Sequence, residues 1–349
     1  MTLVERLVRH YSPSGWEDEA VACLLDEMAE RGLDVQRDAA GNAVGVIGSG
    51  PCRVDLIGHI DTVPGELSVE RANGTLHGRG SVDAKGPLAA FVEAASAFVG
   101  STELTIGVIG CVGEESDSRG AHHVLETYER PDAVIVGEPS GTDGITLGYK
   151  GAIGLGYALE IPRAHQGAET PTAAEAAVAF FGELRAAYPA QGTGFDQPSI
   201  RLVEMGSQSH RAHERAKLTI NVRTPPEFDV DAFRDETARL ADGAQLTWGA
   251  YTPPVSVSKR SPLVGALSGA IRSEGLKPRF VRKTGTSDMN LLKDWGVPIV
   301  AYGPGDSRLD HTPEEHLILD DYERAIRVLE HALATLPARL ARAKAESLG

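Results

Sequence analysis

Residues 53–64 read RVDLIGHIDTVP. Val54, Leu56 and Ile57 form an apolar run too short for a helix and suited to a buried strand. The run closes on Gly58-His59-Ile60-Asp61. Strand side chains repeat with a period of two, so His59 and Asp61 point the same way. A neutral imidazole beside a carboxylate suits a metal ligand and the group that orients it. A strand-end histidine bonded to a nearby aspartate has the same spelling, so the reading depends on what the rest of the chain supplies.

The pattern recurs along the chain. Leu104–Val112 is an uninterrupted apolar strand, as in a sheet covered on both faces, and it ends at Gly113-Glu114-Glu115. Ala133–Val136 ends at Gly137-Glu138-Pro139, and Ile299–Tyr302 ends in Gly303-Pro304-Gly305, with His311 further along the same loop. The glycine-rich turn GRGSVDAKG (78–86) carries Asp83 ahead of a helix expected over Pro87–Val99. Near the start, a short helix over Val4–His10 precedes the breaker Ser12-Pro13-Ser14-Gly15. Ser14 is expected to cap a second helix from Trp16 to Arg31. A closing helix is expected from Asp320 to about Leu336, with a fraying tail from Ala338 onward. Alternating strands and helices indicate an α/β domain with a mainly parallel central sheet. In such sheets ligands collect beyond the carboxyl ends of the strands, which is where His59, Glu114, Glu115 and Glu138 fall.

After Gly148-Tyr149-Lys150-Gly151 the rhythm changes. A strand over Ile153–Ile161, a helix over Thr172–Tyr188, strands over Ser199–Met205 and Ala216–Val222, a helix over Val230–Asp242 and a strand over Gln245–Tyr251 spell β-α-β-β-α-β. That order is the ferredoxin-like α+β pattern. The expected organisation is a catalytic domain in two parts, 1–151 and 255–349, with an inserted lid or dimerisation domain over 152–254.

A chain of 349 residues, 42% of them hydrophobic, can bury one large or two medium cores. No apolar run approaches about 18 residues, so a membrane span is not expected, and the charged start MTLVERLVRHYSPSG reads as an amphipathic helix and not a signal peptide. The net charge of −15 disfavours a nucleic-acid partner. The charge is uneven, however. Arg201, Arg211, Arg215, Lys217 and Arg223 face only Glu204 and Glu214 in the 201–223 segment, and 259–283 is basic as well. Two basic segments in an acidic protein suit an anionic substrate. Cys23, Cys52 and Cys111 are sparse, odd in number and without a CxxC pair, which points to a reducing cytoplasm.

His59, Asp83, Glu115, Glu138 and His311 form a candidate metal set. Zinc takes imidazole and carboxylate ligands, and a catalytic zinc keeps one position open for water. Five ligands cannot fill two tetrahedral sites unless one is shared, and Asp83 is the best candidate for the bridge. Two ions about 3.5–4 Å apart would then hold a water-derived nucleophile between them. Glu114, adjacent to Glu115, is placed to take the proton of that water and pass it to a leaving amine.

GHIDTVP, GRGSVDAKG, GEES (113–116), VGEPS (136–140) and the late GPG…DHTPEE together resemble the M20 family of dinuclear zinc amidohydrolases and peptidases, in order and over nearly the whole chain. The resemblance implies two zinc ions per subunit, with cobalt able to substitute. It implies that His59 and Glu138 hold one ion, that Glu115 and His311 hold the other, and that Asp83 bridges. Asp61 then orients His59, and Glu114 is the general base and acid. The family's inserted domain mediates homodimers in many members, where a histidine from the partner's insert stabilises the oxyanion. The matching residue here is His165 in PRAHQG (162–167), although Pro162-Arg163-Ala164 stands where a glycine is usual. By the same likeness, Arg223 in NVRTPPE contacts a substrate carboxylate, Thr286 supplies a hydroxyl, and the loop Gly303–Gly305 supplies a backbone amide.

Within the family, EPSGTDGITLGYKG (138–151) and KTGTSDMNLL (283–292) look most like the amino-group-carrier-protein hydrolases of lysine and arginine biosynthesis. Those enzymes release lysine or ornithine from the terminal glutamate of an acidic carrier, LysW. Acetylornithine deacetylase and succinyl-diaminopimelate desuccinylase share the metal chemistry and stay as alternatives. A zinc exopeptidase or a non-catalytic metal-binding protein are alternatives of other classes, and Glu114, a non-ligand base, argues against the last. A carrier of like charge would need a local basic region to dock, for which Arg211, Arg215 and Lys217 are candidates.

Overall fold

The apolar run at 53–58 forms the strand Cys52–His59 in the computed structural model, which describes all residues except 166, 168, 190–193, 211 and 349. This strand lies between Leu104–Cys111 and Ala133–Gly137 and is parallel to both. Ile299–Ala301 extends the parallel set beyond Ala133–Gly137. Antiparallel strands flank it: Ala43–Gly48 and then Asp34–Arg37 on one side, Gly144–Tyr149 on the other, with Arg279–Lys283 paired to the last. The register sets His59 opposite Cys111 and Gly58 opposite Gly137. Three parallel strands therefore finish level, and the residues that follow them are delivered to one edge.

Burial explains why these strands are nearly unbroken apolar runs. Helices Leu3–Arg9, Asp18–Glu30, Lys85–Ser96, Pro262–Ser273 and Leu319–Leu348 contribute Leu7, Leu24, Phe91, Leu267 and Leu329 to one core with Val54, Leu56, Ile106, Val108 and Ile135. Lys85–Ser96 comes especially close at Gly137, where an added Cβ would lie 2.9 Å from the Phe91 ring.

Contact clustering divides the chain into two units. One comprises Met1–Gly148, Val257–Arg282 and Ser287–Gly349, and the other Tyr149–Ser256 with Lys283–Thr286. The second holds an antiparallel sheet in the order Ser199–His210, His213–Thr224, Gly151–Pro162, Gln245–Thr252. With helices Ala173–Ala187 and Val230–Leu240 between strands, this is the ferredoxin-like arrangement. Phe180, Leu184 and Phe233 pack with Leu155, Tyr157, Leu218 and Ile220. Thr172 and Glu175 form a capping box at the first helix.

Several elements differ from the sequence expectation. The second helix is Asp18–Glu30, preceded by Glu17, and Ser14 does not cap it. Its hydroxyl donates instead to the Asp61 carboxylate at 2.7 Å. Gly144–Tyr149 and His316–Ile318, to which the sequence reading assigned no element, are strands. The hairpin Ser199–His210/His213–Thr224 is longer than expected, because its exposed polar ends still pair in register. The last helix runs through Pro337 to Leu348. Buried Leu336 and Leu340 and an ion pair from Lys344 to Asp132 at 2.7 Å hold it past the missing N–H.

Gly137→Ala should destabilise the chain by about 1–3 kcal/mol through overpacking against Phe91, read as a lower midpoint in urea unfolding with an unchanged slope. Wild-type stability would show that the helix yields freely there.

Candidate metal centre

His59 is the last residue of its strand and is 2% exposed. Its Nδ1 lies 3.0 Å from the Asp61 backbone carbonyl oxygen and 3.6 Å from the Asp61 carboxylate. The carbonyl can only accept, so Nδ1 carries the hydrogen and Nε2 faces inward. There Nε2 lies 3.2 Å from Asp83 Oδ1. The other oxygen of the same carboxylate, Oδ2, lies 3.1 Å from His311 Nε2, which is also 2.8 Å from Glu115 Oε1. Asp83 thus offers one oxygen to each imidazole. Atoms of His59, Asp83 and Glu115 lie within 4.8 Å of one another, as metal ligands do. Glu138, buried just past Ala133–Gly137, sits near enough to Glu114 for its charge to add to the burial that raises the pKa of that carboxyl.

The support around these groups is specific. The Asp61 carboxylate accepts from the backbone N–H groups of Glu114 and Glu115, each at 3.1 Å, and from Ser14. It thereby fixes the turn that carries two acidic residues. Its hold on His59 is closer through its main chain than through its side chain. Glu315 does a similar job for Asp83: its Oε1 accepts from the backbone N–H of Val82 at 3.0 Å and of Asp83 at 3.1 Å, and its Oε2 accepts from Arg79 at 2.6 Å. The Asp83–Ala84 peptide is cis, and His311 has φ of 63°.

Electrostatics follow from this crowding. Burial opposes ionisation of Asp83, but hydrogen bonds from His311 and His59 outweigh it and hold the carboxyl below its usual range. Burial likewise opposes protonation of His59, yet Asp61 and Asp83 raise it well above the ordinary imidazole value. Hydrogen bonds to Asp83 and Glu115 push His311 up to about 10. Burial, helped by Glu138, Asp288 and Glu115 and opposed by His59, pushes the Glu114 carboxyl well above its usual range. The imidazolium protons of His59 and His311 supply positive charge beside these carboxylates. A divalent cation supplies the same charge while the imidazoles become neutral ligands. Two imidazoles and two carboxylates, with one carboxylate spanning two nitrogen donors, make an N/O donor set suited to a divalent metal ion.

His165 is exposed in the inserted unit and its Nδ1 accepts from the Gly167 N–H at 3.2 Å. Arg223 donates to the Thr286 hydroxyl at 3.1 Å. The Gly303 N–H donates to Ser140 Oγ at 3.2 Å. Arg215 is ion-paired with Glu160, and Arg211 lies outside the described residues. Sequence reasoning missed Ser14, Glu315, Asp288 and Lys85. Asp288 is buried and its carboxyl is raised to about 7 by burial. Lys85 is fully buried, donates to the His10 carbonyl oxygen at 2.5 Å, and is lowered to about 7 by burial. Nothing in the spelling of Glu314-Glu315 or Asp83-Ala84-Lys85 marks which charge is buried.

An α/β unit with imidazoles and carboxylates gathered at the ends of its parallel strands has the build of a metallohydrolase. Residues 56–335 match peptidase family M20/M25/M40, and the chain belongs to that family. Over 96% of both chains it is 43% identical to the [LysW]-lysine hydrolase of Deinococcus radiodurans. It is 40% identical to a putative [LysW]-lysine/[LysW]-ornithine hydrolase of Thermococcus kodakarensis, covering 99% of this chain and 94% of that one. Among solved structures it resembles a Staphylococcus aureus tripeptidase, with a TM-score of 0.81 and 17% identity over 96% of this chain and 97% of that one. It also resembles a dinuclear metal-binding M20 peptidase from Bacillus subtilis, with a TM-score of 0.74 and 16% identity over 96% of each chain.

Metal binding at neutral pH should release protons, because His311 starts as imidazolium and must lose its proton to ligate. Zinc titrations in buffers of different ionisation enthalpy measure this, and equal apparent enthalpies in all buffers would contradict it. Asp83→Ala should lose at least one of the two metal equivalents by elemental analysis, and full retention would remove Asp83 from the set.

Proposed function

We propose that this chain hydrolyses the amide bond that joins lysine or ornithine to the terminal glutamate of the acidic carrier protein LysW. The observation that carries the hydrolytic part is Asp83, one carboxylate spanning two imidazoles with the Glu114 carboxyl close by. The substrate is supported by near-full-length relatives named for that reaction, at 43% and 40% identity.

His59 and Glu138 would hold one ion, Glu115 and His311 the other, with Asp83 between them. Zinc is the reading that the donors favour. Two divalent cations bound there polarise an amide carbonyl and make water a nucleophile near neutral pH. Glu114 takes a proton from the attacking water as the C–O bond forms. It returns that proton to the amide nitrogen as the C–N bond breaks, so a free amine leaves. A carboxyl with raised proton affinity suits both halves of this shuttle. Asp61 keeps Glu114 in place through its backbone amide. Arg223 takes a carboxylate of the amino acid, because a guanidinium binds a carboxylate through two parallel hydrogen bonds. Thr286, bonded to Arg223, steadies it, and the loop around Gly305 lines the substrate.

The inserted unit serves as the dimerisation domain. Its strand Ser199–His210 is a sheet edge along which Leu202, Val203 and Met205 are 37%, 66% and 42% exposed. An exposed edge of this kind pairs readily with another chain. A second copy would bring His165 to the oxyanion. Lys217 supplies part of the basic surface for the carrier, while Arg215 is already paired with Glu160. The cytoplasm, a reducing compartment, suits three free cysteines. No helix among the described residues is long and apolar enough to cross a membrane.

Glu114→Gln should keep both metal equivalents and lower kcat by about 10²–10⁴-fold. Near-wild-type turnover would exclude Glu114 as the base. Carrier-linked lysine or ornithine should exceed acetylornithine, succinyl-diaminopimelate and dipeptides in kcat/KM, and a preference for any of these three would replace the carrier reading. Sedimentation should give a dimer that Val203→Asp dissociates, and a wild-type monomer would contradict the edge-strand interface.

A further inference from the structure

The inserted unit contains a cavity of about 770 Å³ lined by Lys150, Ser199, Arg201, Asn221, Arg223 and Thr284 among others, with no carboxylate among its described lining residues. Ser199 pairs with Arg223 and Arg201 with Asn221, which makes Arg201 and Arg223 diagonal neighbours on one face of the sheet. Diagonal neighbours are within reach of long side chains. The identified partner of Arg223 is the uncharged Thr286 hydroxyl. Burial and the charge of Arg201 both work against the Arg223 guanidinium, and Arg223 in turn works against Lys150. Lys150 is 2% exposed, donates to the Gln197 carbonyl oxygen at 2.5 Å and feels Asp196 nearby. Arg201 and Arg223 carry like charges that oppose each other across a cavity with no carboxylate among its described lining residues. An anion removes the repulsion, and the cavity has room for more than one carboxylate.

The proposed substrate has two carboxylates at its scissile end. One belongs to the amino acid to be released. The other follows from valence: whichever carboxyl group of the carrier's terminal glutamate forms the amide, its second carboxyl stays ionised at the far end of the same five-carbon skeleton. We propose that Arg201 binds this second carboxylate, leaving Arg223 for the carboxylate of the released amino acid. The inference rests on the amide-hydrolase reading above. It assigns selectivity for an acidic acyl group to Arg201, a residue outside the metal centre.

Nα-glutaryl-lysine reproduces the skeleton for either mode of attachment, and Nα-pentanoyl-lysine replaces its free carboxylate by a methyl group. The wild-type enzyme should favour the glutaryl amide in kcat/KM by about tenfold or more, the worth of a hydrogen bond to a charged group. Arg201→Gln should bring the ratio toward one through KM, with kcat little altered, and Arg201→Lys should restore part of it. Equal losses on both amides, or an undiminished glutaryl preference, would overturn the assignment. If the wild type cleaves neither amide, the hydrolase reading has failed, and the pocket is then judged by glutarate binding in calorimetry. Binding that Arg201→Gln abolishes would sustain the carboxylate site, and no binding to the wild type would overturn it.

Discussion

The structure depends on the charge balance at Asp83. Two carboxylates, Asp83 and Glu115, are brought together with most of their surface hidden from water. Removing a carboxylate from water is costly unless positive charge and hydrogen bonds meet it. His59 and His311 meet that need as imidazolium groups, one on each oxygen of Asp83. In the metal-binding reading, cations would carry the same charge and both imidazoles would be neutral ligands.

The shape is held from behind. Asp61 is more useful to the Glu114–Glu115 turn than to the histidine it was expected to orient, because both oxygens of its carboxylate are engaged by that turn and by Ser14. His59 is aimed by the Asp61 main chain. Glu315, tied to Arg79, grips the backbone at Val82 and Asp83, so the late loop that carries His311 also fixes the early loop that carries the shared carboxylate. The same turn holds Glu114, whose backbone N–H donates to Asp61 and whose burial favours the protonated carboxyl.

Much of this was legible in the chain. The apolar runs at 54–57, 104–112 and 133–136 mark the parallel strands because those strands are covered on both faces, and the register then delivers His59, Glu114–Glu115 and Glu138 to one edge. The β-α-β-β-α-β rhythm after Gly151 gave the inserted fold, since its strands alternate between a buried and an open face. Burial of single polar residues was not legible. Glu315 and Glu314 are neighbours of identical type, yet only Glu315 is buried against backbone amides. Ser14 read as a helix cap because capping serines and serines that brace a carboxylate look alike in sequence. The closing helix was expected to end near Leu336, and the tertiary contacts of Leu340 and Lys344 show why it continues.

The central claim is that one aspartate divides its two oxygens between two ions. Anomalous diffraction at the zinc edge from crystals of the loaded protein tests it most directly. Two peaks flanking Asp83, with His59 on one and His311 on the other, are expected. A single peak, or both histidines on one ion with Asp83 bound at one oxygen alone, would contradict it.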